Sequence, residues 1–176
     1  MKDILPDVLA PGLKIVFCGT AAGNESARQG AYYAHPGNKF WQTLQLVGLT
    51  PRQLRPTDFA EVLQYGVGLT DLAKYVSGND DTLSPYDFDP DALLIKIRSL
   101  QPKVLAFTSK TAGSIFLRSK RIGFGLQPEA LGMTRIYVLP SPSGLAQRSW
   151  NIEYWSEAAD FARFQPTIQS SDREPL

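Results

Sequence analysis

The chain has 176 residues, 43% of them hydrophobic, which fits one compact core and is too small for two independent ones. Eighteen Lys and Arg against 17 Asp and Glu leave a net charge of +1, so bulk basicity is excluded and any nucleic-acid contact must rest on local patches. The single cysteine, Cys18, excludes an intrachain disulfide and a cysteine-rich zinc site, and the single histidine, His35, excludes a histidine-rich one.

The start, Met1 to Ala10, carries Asp3, Pro6 and Asp7 and lacks the apolar core of a signal peptide, and no later run is long enough to span a bilayer. A monomeric protein of the reducing cytoplasm, without membrane contact, is expected. Leu13 to Cys18 (LKIVFC) is a β-branched and aromatic run ending at Gly19, the pattern of a buried strand feeding a loop. Thr20 to Asn38, rich in Gly, Ala, Asn and Tyr, reads as a long loop of the kind that carries function.

Apolar spacing predicts a helix over Lys39 to Val47, stopped by Gly48, and another over Asp58 to Gln64 with Asp58 as a cap. A short strand is expected at Val67 to Thr70, then a loop over Ser77 to Pro90. Next come a helix at Asp91 to Leu100, a buried strand at Lys103 to Phe107 and a helix at Lys110 to Arg118. Gly123 to Gly132 reads as a Gly-rich connection, Ile136 to Leu139 as a last strand, and Ile152 to Phe164 as a closing amphipathic helix. The polar tail from Gln165, with two prolines, is expected to fray.

Strands alternating with helices at this interval predict a single α/β domain, a three-layer α/β/α arrangement around a mostly parallel sheet. Ligands in such folds sit beyond the carboxyl ends of the strands. The loops after Cys18, Thr70, Phe107 and Leu139 are therefore the places to look. Three carry unusual residues: GTAAGNESARQGAYYAHPGNKFW from Gly19, GLTD ending at Asp71, and LPSPSGLAQRS from Leu139.

The segments LAPGLKIVFCG, AHPGNKFW with its downstream VGLTPRQL, and PSPSGL occur here in one order. Together they resemble the mismatch-specific uracil-DNA and thymine-DNA glycosylases, a branch of the uracil-DNA glycosylase superfamily, from about Val8 to about Gln147. The resemblance implies a uracil-DNA glycosylase-like fold and a monofunctional enzyme of base excision repair. Such an enzyme flips uracil, or another deaminated or mismatched base, out of DNA and hydrolyses its glycosidic bond without metal or cofactor.

It further implies that Gly19, Thr20, Ala21, Ala22 and Gly23 hold the base and that the aromatic before AHP, Tyr33, stacks on it. Ser143 and Gly144 would approach DNA phosphate, and Leu145 would fill the gap left by the flipped nucleotide. His35 is expected to hold loop geometry or a phosphate, Asn38 to hydrogen-bond at the same mouth or to cap the helix before Lys39, and Arg148 to meet phosphate. Uncovered amides of Thr20 to Gly23 and the Ser143 hydroxyl are candidates for reading the uracil edge.

One departure matters most. The family's first loop usually reads Gly-Ile-Asn-Pro-Gly, its asparagine positioning the attacking water, whereas this chain has Ala21 there. Asp71, directly after the strand Val67 to Thr70, is the candidate replacement, because a carboxylate orients or deprotonates water and stabilises an oxocarbenium-like sugar. Its competing reading is a cap for Leu72 to Tyr75; Asp80 and Asp81 are the fallback carboxylates. The alternative function is a DNA-binding protein that recognises damaged bases without cutting. A phosphate-cradling nucleotide site is poorly matched, since the loop lacks GxGxxG spacing and a GK[ST] ending.

Overall fold

The segment Ile15–Ala22 (β1) reads IVFCGTAA, and its side chains alternate between two buried faces, Ile15 and Phe17 on one, Val16 and Cys18 on the other. A strand covered on both faces needs apolar residues at successive positions, hence the unbroken run. The computed structural model describes residues 1–164; the tail expected to fray lies outside them.

Around β1 the sheet is built from Val67–Ser77 (β2), Val104–Phe107 (β3), Gly125–Leu131 (β4) and Thr134–Val138 (β5) in the order β2-β1-β3-β5-β4. All pairs are parallel except β4 with β5. The helices are Asn24–Gln29 (α1), Phe40–Leu46 (α2), Pro90–Leu100 (α3), Lys110–Leu117 (α4) and Ile152–Arg163 (α5). Helices α2 and α5 cover the face bearing Phe17 and Leu69, through Phe40, Leu44, Trp155 and Ala159. Helices α3 and α4 cover the other, through Leu93, Ile97 and Ala112. This is the three-layer α/β/α arrangement expected. Among the described residues no helix is long and apolar enough to cross a membrane.

Several boundaries differ from expectation, each for a physical reason. β1 continues through Gly19–Ala22, predicted as loop, because β2 runs on past Thr70 and pairs with it: Gly19 opposite Asp71 and Ala21 opposite Ala73. The predicted loop after it contains α1, a short polar helix closed by Gly30 at φ 66°. Asp58–Gln64 is 3-10 rather than α-helical, within Pro56–Tyr65. The loop over Ser77 to Pro90 holds short 3-10 turns at Asp80–Thr82 and Pro85–Asp87. The Gly-rich connection contains β4, an edge strand whose pairing shifts register between Leu126 and Ala130, around Pro128.

The amino-terminal segment lies along β2. Val8 bridges to Leu69, and Ile4 donates its N–H to the Lys74 carbonyl at 2.7 Å. Asp7 accepts hydrogen bonds from Thr70 (2.7 Å), Lys74 and Lys96 (both 2.6 Å). Burial works to raise its pKa, but hydrogen bonds from Lys74, Lys96 and Thr70 outweigh it and hold the carboxyl below its ordinary value.

Candidate active site

The order of strands reverses between β1 and β3, and a crevice opens beyond their carboxyl ends at such a point. β3 pairs with β1 only as far as Phe107 opposite Cys18, so β1 runs on alone along its β3 side. The Thr108 N–H still reaches the Cys18 carbonyl at 3.0 Å. By strand alternation the peptide groups of Thr20 face the same side, beyond the end of β3. Within Gly19–Ala22, Thr20 thus turns its backbone toward the crevice. Of the loop amides expected over Thr20 to Gly23, those of Thr20 to Ala22 belong to a strand, and Gly23 follows it directly.

Asp71 lies within β2 opposite Gly19, on the sheet face shared with Phe17 and Phe40. Because β2 continues to Ser77, no helix follows Asp71, and the capping role considered for it is removed. The residue is 7% exposed. Among the described residues no hydrogen bond ends on its carboxylate, whose oxygens keep a small exposure to solvent. Burial pushes its pKa up to about 7; the positive charge of Lys74 offsets this in part, and the negative charge of Asp7 adds to it.

The absence of a side chain at Gly19 makes room for this carboxylate. A Cβ there would stand 2.6 Å from Asp71 Oδ1, 3.6 Å from Tyr33 Oη and 3.7 Å from Thr108 Oγ1. Carboxylate, phenol and threonine hydroxyl therefore converge on one point. Gly19→Ala is expected to displace Asp71, and if that carboxylate takes part in a reaction, a misplacement of about 1 Å lowers turnover by on the order of 10². Thermal melting of the variant alongside its turnover separates displacement from unfolding.

Tyr33 is half-buried and adopts φ 51°, left-handed backbone that an aromatic residue takes only when its surroundings impose it. They do so here. The Ala34 N–H donates to Ser26 Oγ at 3.1 Å, and Trp41 Nε1 donates to the Tyr32 carbonyl at 3.0 Å. The Tyr33 ring stacks on Phe40 at 3.9 Å and 17° between planes, and its hydroxyl lies 3.2 Å from Thr108 Oγ1. Burial, with the charge of Asp71 adding to it, pushes the phenol pKa well up, so the hydroxyl keeps its proton.

The other sequence candidates divide. His35 is exposed, and its Nδ1 accepts the Gly37 N–H at 3.0 Å, so it shapes the turn. Asn38 Oδ1 accepts the Phe40 N–H at 2.9 Å, a side-chain turn just ahead of α2, whose N-cap residue is Lys39. Thr20 Oγ1 donates to Asp80, which ties that fallback carboxylate to β1; Asp81 is exposed in the same turn. Ala21 and Gly23 are half-buried and Ala22 is buried, at and just beyond the strand end. Burial raises the pKa of the Cys18 thiol, followed by the charge of Asp71, so the thiol stays protonated on the opposite face. Among the described residues no group of three or more His, Cys, Asp or Glu is arranged to hold a metal ion.

The loop after Leu139 packs directly on the AHPGN turn. The Lys39 N–H donates to the Pro142 carbonyl at 2.8 Å. A Cβ on Gly144 would lie 3.1 Å from the Gly37 carbonyl oxygen. Ser143 Oγ accepts the Leu145 N–H at 3.3 Å and starts the 3-10 turn Gly144–Ser149. Leu145 stands out at 86% exposure, and Arg148 beside it is exposed. Lys39 Nζ lies 4.9 Å from the centroid of the Trp150 ring, adding a cation at this rim.

Two neighbours of Tyr33 lie outside the expected set: Thr108, at the end of β3, 75 positions away, and Phe40, in the adjacent helix α2 behind the ring. Thr108 follows Phe107 directly, at the start of one of the four strand-end loops where such folds bind ligands.

The chain overlays the solution NMR structure of a Methanosarcina acetivorans protein provisionally named a uracil DNA glycosylase. The TM-score is 0.62 and the identity 22%, with 90% of this chain and 94% of that one covered, so the likeness is one of fold. The family model of the uracil DNA glycosylase superfamily matches residues 6–164. Membership supports action on DNA as a glycosylase of base excision repair. With sheet, crevice and family model in agreement, the chain belongs to the uracil DNA glycosylase superfamily.

Proposed function

We propose that the protein is a monofunctional glycosylase that extrudes uracil from DNA and hydrolyses its glycosidic bond, with Asp71 doing the work the family gives to an asparagine. The observation that carries this reading is the Asp71 carboxylate, buried beside Gly19 at the crevice, without a hydrogen-bond partner among the described residues and with its pKa pushed to about 7.

Tyr33, backed by Phe40, offers a ring on which the extruded base stacks. The peptide of Thr20 and the Ser143 hydroxyl are the groups assigned here to the base edge. As the bond between the anomeric carbon and the base nitrogen stretches, positive charge grows on the sugar and the base leaves with the electron pair. The ionised Asp71 stabilises that charge, orients the attacking water and accepts its proton as the new carbon–oxygen bond forms. The base, leaving as its anion, takes up a proton from solvent, and the products are free uracil and an abasic site.

Leu145 is the wedge, and Lys39, Gly144 and Arg148 form the rim that meets phosphate. Leu145→Ala should slow release from duplex DNA about tenfold while sparing single strands, because replacing lost base stacking matters only in a duplex. Equal slowing on both substrates would remove the wedge role. The function itself is tested with oligonucleotides carrying uracil, thymine opposite guanine, hypoxanthine, xanthine or ethenocytosine. Alkali-sensitive abasic sites at uracil are expected; retention of uracil DNA without release would instead favour a damage-binding protein.

A further inference from the structure

Thr108 is 4% exposed at the carboxyl end of β3. Its Oγ1 stands 3.5 Å from the Cys18 carbonyl and 3.2 Å from Tyr33 Oη. When the Thr108 hydroxyl donates to that carbonyl, its oxygen is left to accept the tyrosine proton. Asp71 Oδ1 lies close by, for all three oxygens surround the point a Cβ on Gly19 would occupy. A phenol beside a carboxylate ordinarily donates to it, which would fill one carboxylate lone pair and favour the charged form. Here Asp71 accepts no such bond among the described residues.

We propose that Thr108 is a positioning residue: by engaging the Tyr33 hydroxyl it fixes the ring on Phe40 and keeps that hydroxyl off the Asp71 carboxylate, which stays open to water. The other titratable groups around Asp71 are committed elsewhere. Tyr32 Oη donates to the Pro6 carbonyl at 3.0 Å. The Cys18 thiol points to the Gly19 carbonyl at 3.4 Å. Lys74 and Asp7 bond one another at 2.6 Å, and Asp80 is held by Thr20. Among these groups Tyr33 is the one whose hydroxyl, once released, is placed to turn onto Asp71.

The inference deepens the proposed function and rests on it for its catalytic meaning, but its test does not require turnover. The Asp71 carboxyl is followed by carbon NMR in protein labelled at aspartate, its signal identified by its loss in Asp71→Asn. Thr108→Val should lower the titration midpoint by about one pH unit, since a new hydrogen bond favours the charged form. Thr108→Ser should keep the wild-type midpoint. Adding Tyr33→Phe to Thr108→Val should restore it, because no hydroxyl is left to turn. An unchanged midpoint in Thr108→Val, or an equal drop in the double variant, overturns the proposal. If valine prevents folding, Thr108→Ala is read by the same criteria. A midpoint that moves as stated in a protein releasing no uracil would remove the glycosylase reading and leave the role of Thr108 standing.

Discussion

Asp71→Asn should lower single-turnover release of uracil by about 10² to 10⁴, the range by which a positioned acid–base group speeds a reaction. Asparagine has nearly the volume of aspartate, so β2 keeps its pairing to β1 and the Gly19 side of the crevice keeps its shape. It lacks the negative charge that would oppose the sugar cation and the basicity to take a proton from water. Circular dichroism of the variant should match wild type. Release within a few-fold of wild type would show that another group, such as the Asp80 side chain held by Thr20, supplies the chemistry.

The same substitution should stabilise the protein in alkali. In the folded state the Asp71 pKa is raised to about 7 from an ordinary 3.8, so the folded protein holds a proton that the unfolded chain releases. The stabilising contribution of the protonated group is complete below the unfolded pKa and is lost as pH rises through about 7. A separation of about three pH units corresponds to about 4 kcal/mol of stability lost from acid to alkali. Asparagine carries no such dependence. Urea unfolding at a pH near 5 and again near 8.5 should show wild type weakening relative to Asp71→Asn; parallel behaviour at both would mean that burial does not perturb this carboxyl. A residue that lowers stability when ionised and raises activity fits a site where folding and chemistry conflict.

The central strands are legible in the sequence because both faces are buried. The runs LKIVFC and KVLAF are apolar without alternation, which little but a sandwiched strand or a buried helix explains, and their shortness favours strand. Strands with one wet side are harder to read. β4 reads GLQPEAL, with Pro128 inside and mostly exposed residues, and only pairing to β5 makes it a strand. The second half of β2, DLAKYVS, contains two charges that argue against a strand, and what accommodates Lys74 is long-range: it finds Asp7 in the amino-terminal segment. α1, NESARQ, has no apolar stripe to announce it.

The site divides along the same line. Asp71 is singled out by its place after a strand and by the alanine at position 21, and the longer strand leaves it opposite Gly19. Of the roles weighed for His35, the observed bond fits loop geometry, and Asn38 forms a turn just ahead of α2 in place of the cap considered for it. Thr108 and Phe40 were invisible because a threonine after a strand and a phenylalanine in a helix are ordinary residues. What distinguishes them is contact with Tyr33, which Thr108 meets across 75 positions of sequence.

The pH dependence of single-turnover uracil release, measured in wild type and Asp71→Asn between about pH 5 and pH 9, tests the central claim most directly. With the ionised carboxylate as the active form and its pKa near 7, wild-type rates should rise about tenfold per pH unit in acid and level off above about pH 7. The asparagine variant should show only a low rate without that inflection. A wild-type profile flat across the range, or an inflection retained in Asp71→Asn, would contradict the assignment of the reaction to Asp71.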